Sequence, residues 1–130
     1  MSVIERHLSD MPFATISQVT AAGGPGKWAF VQGQLALDED WHVSHAPIGE
    51  QTKICFAHIA DALSKVGGTL ADILKLTIYV TDMDKFPEVN AARAELFGTE
   101  LPVSTAVEVS GLYGGAEIEI EAFAFVPAAP

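Results

Sequence analysis

Apolar and polar residues alternate most cleanly near the end of the chain. Between 117 and 126, Ile118, Ile120, Ala122, Ala124 and Val126 interleave with Glu117, Glu119, Glu121, Phe123 and Phe125. A period of two sorts these sets onto opposite faces of a strand. The first set is a core face. The second begins as three carboxylates, which need water or partners, and ends as two phenylalanines, which need a cover. It reads either as a solvated acidic strand end or as a glutamate at the mouth of a cleft, where a second layer or a second subunit meets the sheet. A glycine-rich turn joins this strand to one opening at Ser104 and Thr105.

Other segments follow the same logic. Ala14 to Ala21 reads as a strand, Gly23 to Gly26 as a turn and Trp28 to Gln34 as a second strand, so the pair could form a hairpin. A further short strand is expected near Val3 and Ile4. Gly33 inside the second strand predicts a bulge or a close approach to the backbone. Leu35 to His45 is loop, with room for a short strand. From Ile48 to Val66 the apolar stripe Cys55, Phe56, Ile59, Ala62, Leu63 and Val66 has helical spacing. Pro47 and Glu50 suit its start, Lys65 its end, and Gly67 with Gly68 stops it. The stripe makes Cys55 a buried small hydrophobe and leaves His58 on the surface. The β-branched run Ile73 to Thr81 is a central strand. Asp82 or Asp84 caps a second helix, which has Pro87 in its first turn and ends at Phe97 and Gly98.

That second helix carries an anomaly. Its apolar arc is Phe86, Val89, Leu96 and Phe97, and at 100° per residue Asn90 and Arg93 fall inside it. An unpaired buried guanidinium costs on the order of several kcal/mol. Arg93 therefore snorkels at a rim, meets a carboxylate or lines a cleft. The order of elements predicts an α+β sandwich, with two helices on one face of a mixed or largely antiparallel sheet. The other sheet face is left bare, and oligomerisation with sheets packed inward would cover it.

Composition narrows the function. The 130 residues suit one domain, and 49% are hydrophobic, enough for a sizeable core. Seven basic residues against seventeen acidic ones leave a formal charge of −10, which disfavours nucleic acid. The lone Cys55 excludes an intramolecular disulfide and fits a reducing compartment. The first residues have no apolar signal region and no run reaches membrane-spanning length. A cytoplasmic protein is expected, with no membrane partner. His42 and His45 have no third ligand in view, so no metal is expected. The remaining polar set is Gln32 and Gln34, Asn90 and Arg93, Ser104 and Thr105, and Glu119. A carboxylate beside hydrogen-bonding groups can position water for attack on a carbonyl or imine carbon.

The segments ISQ (16–18), VQGQLALD (31–38), the run from Gln51 to Asn90 containing TDMDKFPEVN, PVSTAVEV (102–109) and EIEIEAFAFV (117–126) together resemble the RidA/YjgF family of enamine/imine deaminases. The resemblance spans residue 14 to the end. It implies a chorismate-mutase-like α+β fold and a homotrimer whose sheets form an inner barrel, with three clefts between subunits. It further implies hydrolysis of small imines with release of ammonia, without metal or organic cofactor. Glu119 matches the glutamate that positions water, and Asn90 matches the family's asparagine. The arginine that anchors a substrate carboxylate is replaced by Ser104. Ile16 stands for a common tyrosine, Gln32 for a serine, and Ala106 for a cysteine or threonine. The chain thus resembles an arginine-lacking member with altered substrate preference. Arg93, one helical turn after Asn90 where the family commonly has an aromatic, either supplies a cation to the same cavity or pairs with Glu119 or another carboxylate across the subunit boundary. A non-catalytic trimer binding a small metabolite is the alternative; the charge of −10 speaks against a ribonuclease.

Overall fold

The computed structural model describes residues 3–12 and 15–129. Its elements in order are β1 (Val3–Leu8), β2 (Ser17–Gly23), β3 (Gly26–Gln34), α1 (Ile48–Ser64), β4 (Ile73–Val80), α2 (Phe86–Phe97), β5 (Val103–Glu108) and β6 (Ile118–Pro127). The main sheet has the order β3-β6-β4-β5. β6 runs antiparallel to both β3 and β4, and β5 runs parallel to β4, so the sheet is mixed. The start of the strand predicted from Ala14 lies partly outside the described residues.

The hairpin expected between β2 and β3 does not form. β2 pairs with β1 in a two-stranded ribbon, while β3 pairs with β6. Cross-strand packing is the reason. Beside β6, Trp28 meets Phe125 and Phe30 meets Phe123, each edge to face at 5.2 Å, and aromatic pairs of this kind are a main source of sheet stability. Arg6 ties the ribbon to the main sheet. It donates to the carbonyls of Ile73 (3.1 Å) and Leu101 (2.9 Å) and to Ala71, and it lies 3.3 Å from Glu100.

The core lies between the sheet and the helices. Cys55, Phe56, Ile59 and Leu63 of α1 pack with Ile73, Leu76, Ile78 and Val80 of β4 and with Ile118, Ile120, Ala122 and Ala124 of β6. α1 stops at Ser64, and Val66 of the expected stripe is exposed. Gly67 takes the left-handed φ of +81° that ends the helix without a Cβ clash. α2 buries Val89, Ala92, Arg93 and Phe97; Leu96, expected in the arc, is exposed. Asp82 caps the turn ahead of α2 by accepting from the Asp84 N–H at 3.0 Å. His58 corrects another expectation: it is half-buried, and its Nε2–H donates to the Leu37 carbonyl at 2.9 Å, pinning the loop after β3 to α1.

Two buried polar residues of α1 were not legible as such. Thr52 donates to the Ile48 carbonyl at 2.7 Å. Gln51 donates to the Ala46 carbonyl at 2.9 Å and to Glu117 at 3.3 Å, and accepts from the Glu117 N–H. This bonding holds the start of α1 against the entry to β6. The far face of the sheet is bare, as the patterning requires. Phe30 is 70% exposed and Trp28 57%, with Phe123 and Val107 also open to solvent.

Candidate functional site

Several of the residues singled out from the sequence converge. Ile16, Asn90, Arg93 and Ser104 line one cavity of about 400 Å³, with Met11, Phe86, Pro87 and Ala106 completing its wall. α2 supplies Asn90 and Arg93 one turn apart. Ser104 and Ala106 alternate along β5, so both face the helix side of the sheet.

Arg93 is the centre of this site. It is only 3% exposed, which excludes a snorkelling position at the rim. Its Nη1 donates to Ser104 Oγ at 2.8 Å and its Nη2 to Asn90 Oδ1 at 2.7 Å. The guanidinium stacks 5.7 Å from the Phe86 ring. Its buried Nε has no acceptor among the described residues, and no described carboxylate lies within ion-pairing distance. Burial lowers its pKa. Asn90 Oδ1 also accepts from Thr15 Oγ1 at 2.8 Å. Because Arg93 can only donate, the amide oxygen must be the atom that faces it, and the Asn90 amide nitrogen is turned away from both contacts. Thr15, just ahead of β2, was missed in the sequence because it sits in no motif; Phe86 was legible as part of the apolar arc and of the TDMDKFPEVN segment, but its contact with Arg93 was not.

Glu119 and Gln32 do not reach this cavity. In register, Ser104 lies beside Leu76, which lies beside Ala122, three residues from Glu119. Two strand spacings and three residues separate the Cα atoms by about 14 Å. The odd step also puts Glu119 on the bare face and Ser104 on the helix face. Within one chain, then, Arg93 and Glu119 cannot pair. Glu119 instead stands over the backbone of β3. The register slips between Val31 and Gln34, and a Cβ added at Gly33 would overlap the Glu119 carboxylate. Bulge and close approach, both foreseen for Gly33, occur together. Beneath the same strand, Cys55 is fully buried. Burial first, and the Glu119 charge second, push its thiol up to about 12, which makes it unreactive.

Gln32 is exposed and lines a larger open groove of about 760 Å³ along the free edge of β3, with Trp28, Trp41, Asp38 and His58. That groove carries acids and bases of mixed sign and no buried ionised group, so the smaller cavity is the stronger site. Next to Glu119, Glu121 accepts from the Tyr79 hydroxyl at 2.7 Å, and Glu117 is held by Lys85 at 2.6 Å. Of the three glutamates at 117, 119 and 121, Glu119 alone makes no side-chain hydrogen bond among those described. No group of three or more metal-binding side chains occurs among the described residues, and none of the described helices is long and apolar enough to cross a membrane.

Known proteins share this architecture. A RutC family protein of Pyrococcus horikoshii is 36% identical over 88% of this chain and 89% of its own. A crystal structure from Mycobacterium tuberculosis, of a member of the YjgF/YER057c/UK114 family, superposes with a TM-score of 0.69 at 33% identity, over 95% of this chain and all of the other. The 2-iminobutanoate/2-iminopropanoate deaminase of Bos taurus is 27% identical over 73% of this chain and 70% of its own. The family model described as Endoribonuclease L-PSP matches residues 9–126. With that span matched and the same α+β fold in place, this chain belongs to the Endoribonuclease L-PSP family, the RidA/YjgF group.

Proposed function

We propose that the protein hydrolyses small imines or enamines in the cytoplasm, releasing ammonia, in a cleft completed between copies of the chain. One observation carries this reading. The cavity built by Asn90, Arg93 and Ser104 and the uncommitted carboxylate of Glu119 lie on opposite faces of the sheet, so a productive site needs the Glu119 face of a neighbouring copy. The bare aromatic face around Phe30 and Phe123 is the surface such a neighbour would cover, and a closed trimer buries it on every copy.

The chemistry follows from the groups present. The cavity holds the substrate through Asn90 and Ser104, with Ile16 against its apolar part. Glu119 orients a water and takes one of its protons as the water oxygen bonds to the imine carbon. That proton passes to the nitrogen to give a carbinolamine; the hydroxyl proton then follows to the nitrogen, the C–N bond breaks, and ammonia leaves as the carbonyl forms. Water and imine thereby give ketone and ammonia, with no change of oxidation state and no cofactor. The deaminase activity named for the Bos taurus relative supports this reaction class. The formal charge of −10 favours a small ligand over RNA.

A second reading rests on the same separation of groups. A cavity that binds without Glu119 suits a non-catalytic metabolite sensor. Ammonia release from freshly generated imines decides between them. The hydrolase reading expects turnover that Glu119→Ala abolishes; ligand binding with no turnover in the wild type selects the sensor.

A further inference from the structure

We propose that Arg93 is the anchor for a carboxylate, so that the cavity takes short-chain monocarboxylates and the anchoring charge comes from helix α2 rather than from strand β5. This deepens the hydrolase reading and rests on it only for the reaction, not for the binding.

The two arginines of the chain make the case by contrast. Arg6 spends its donors on three carbonyls and a carboxylate. It is a structural clamp with its charge compensated. Arg93 is more deeply buried and has no described carboxylate partner. Of its five N–H donors, two are used, on Ser104 and Asn90, and the buried Nε is without an acceptor. Keeping an ionised group in such a place is costly unless an anion joins it.

The neighbours are set up for the same ligand. Ser104 Oγ and Asn90 Oδ1 both accept from Arg93. The Ser104 proton and the Asn90 amide protons therefore remain for a ligand. No described carboxylate lines the cavity. The site offers donors and one positive charge, which match one carboxylate; a dianion would keep an uncompensated charge in a chain that is already −10. Ile16, Phe86 and Ala106 form an apolar wall that suits a short aliphatic tail. Arg93 thus holds the carboxylate in a charge-assisted contact, and Ser104 and Asn90 orient it.

Ligand-observed NMR titrations of the full-length protein with butanoate, butanamide and inorganic phosphate test this. The expected result is binding of butanoate, with butanamide and phosphate each at least about tenfold weaker, as loss of one charge-assisted hydrogen bond implies. In Arg93→Met, butanoate should fall to the level of butanamide while the melting transition stays cooperative. Arg93→Gln, which is shorter but keeps a polar, uncharged end, gives the same reading should the Met variant not fold. Equal binding of acid and amide by the wild type, undiminished butanoate binding in either folded variant, or no butanoate binding at all overturns the assignment. Preference for phosphate would make the site an oxyanion site of another class and overturn it too. Ammonia release is scored separately. Turnover without Arg93-dependent binding sinks this inference alone, and Arg93-dependent binding without turnover sinks the hydrolase reading alone.

Discussion

Gly33 and Glu119 occupy a space that holds only one side chain: the glutamate from β6 fills the place where a β-carbon on β3 would stand. The bulge at Gly33 leaves that place empty, and the carboxylate lies across the backbone there. Gly33→Ala should therefore move the carboxylate. The obstructed atoms belong to the flexible end of Glu119, so the loss of stability should stay near the low end of the roughly 1–3 kcal/mol usual for overpacking. Ammonia release should fall much further than the melting temperature does. Parallel assays of the two quantities check this; a variant with full activity would show that the position of Glu119 is immaterial.

The bare face gives a second prediction. Phe30 packs edge to face on Phe123 yet is 70% exposed, and it takes no part in the core between sheet and helices. Phe30→Glu should leave each chain folded and disrupt assembly. Sedimentation velocity should find the wild type well above the 13.8 kDa of one chain and the variant at that mass. Activity should be lost with assembly, because the two halves of the site lie on opposite sheet faces.

Cys55 supplies a pH dependence. Its thiol lies at about 12 in the folded chain against an ordinary value of 9.0. Between these values the unfolded chain has released a proton that the folded chain keeps. Folding stability must therefore fall as pH rises through this window, and be unaffected by this group below it. Denaturation midpoints measured from pH 8 to 11 should drop more steeply for the wild type than for Cys55→Ala. The same burial predicts negligible alkylation of the native thiol at pH 8.

Gln51 gives a stability prediction remote from the cavity. It joins the loop before α1 to Glu117 at the entry of β6 through both ends of its amide. Gln51→Leu fills the volume but strands a buried carbonyl and the Glu117 N–H. A loss of about 1–3 kcal/mol is expected, seen as a lower urea midpoint with an unchanged slope.

Much of the architecture was legible because burial writes itself into period. The β6 alternation, the α1 stripe and the β-branched run of β4 each state which face meets the core, and no distant partner is needed to read them. The motif segments carried the family in the same local way. Even the oddity of Arg93 was visible, since a charged residue inside an apolar arc violates the pattern. Its environment was not: whether a guanidinium reaches solvent, a carboxylate or a cavity depends on where α2 settles against β5 and the residues just ahead of β2, and those contacts span up to 75 residues of sequence. Strand partnership was likewise decided by the assembled sheet. β3 leaves its sequence neighbour β2 for β6, where Phe123 and Phe125 await its aromatics, and that pairing sets Glu119 over Gly33 and apart from Ser104. Periodicity is a property of single segments, whereas pairing and the meeting of side chains from different elements are settled by competition among all segments for the same core.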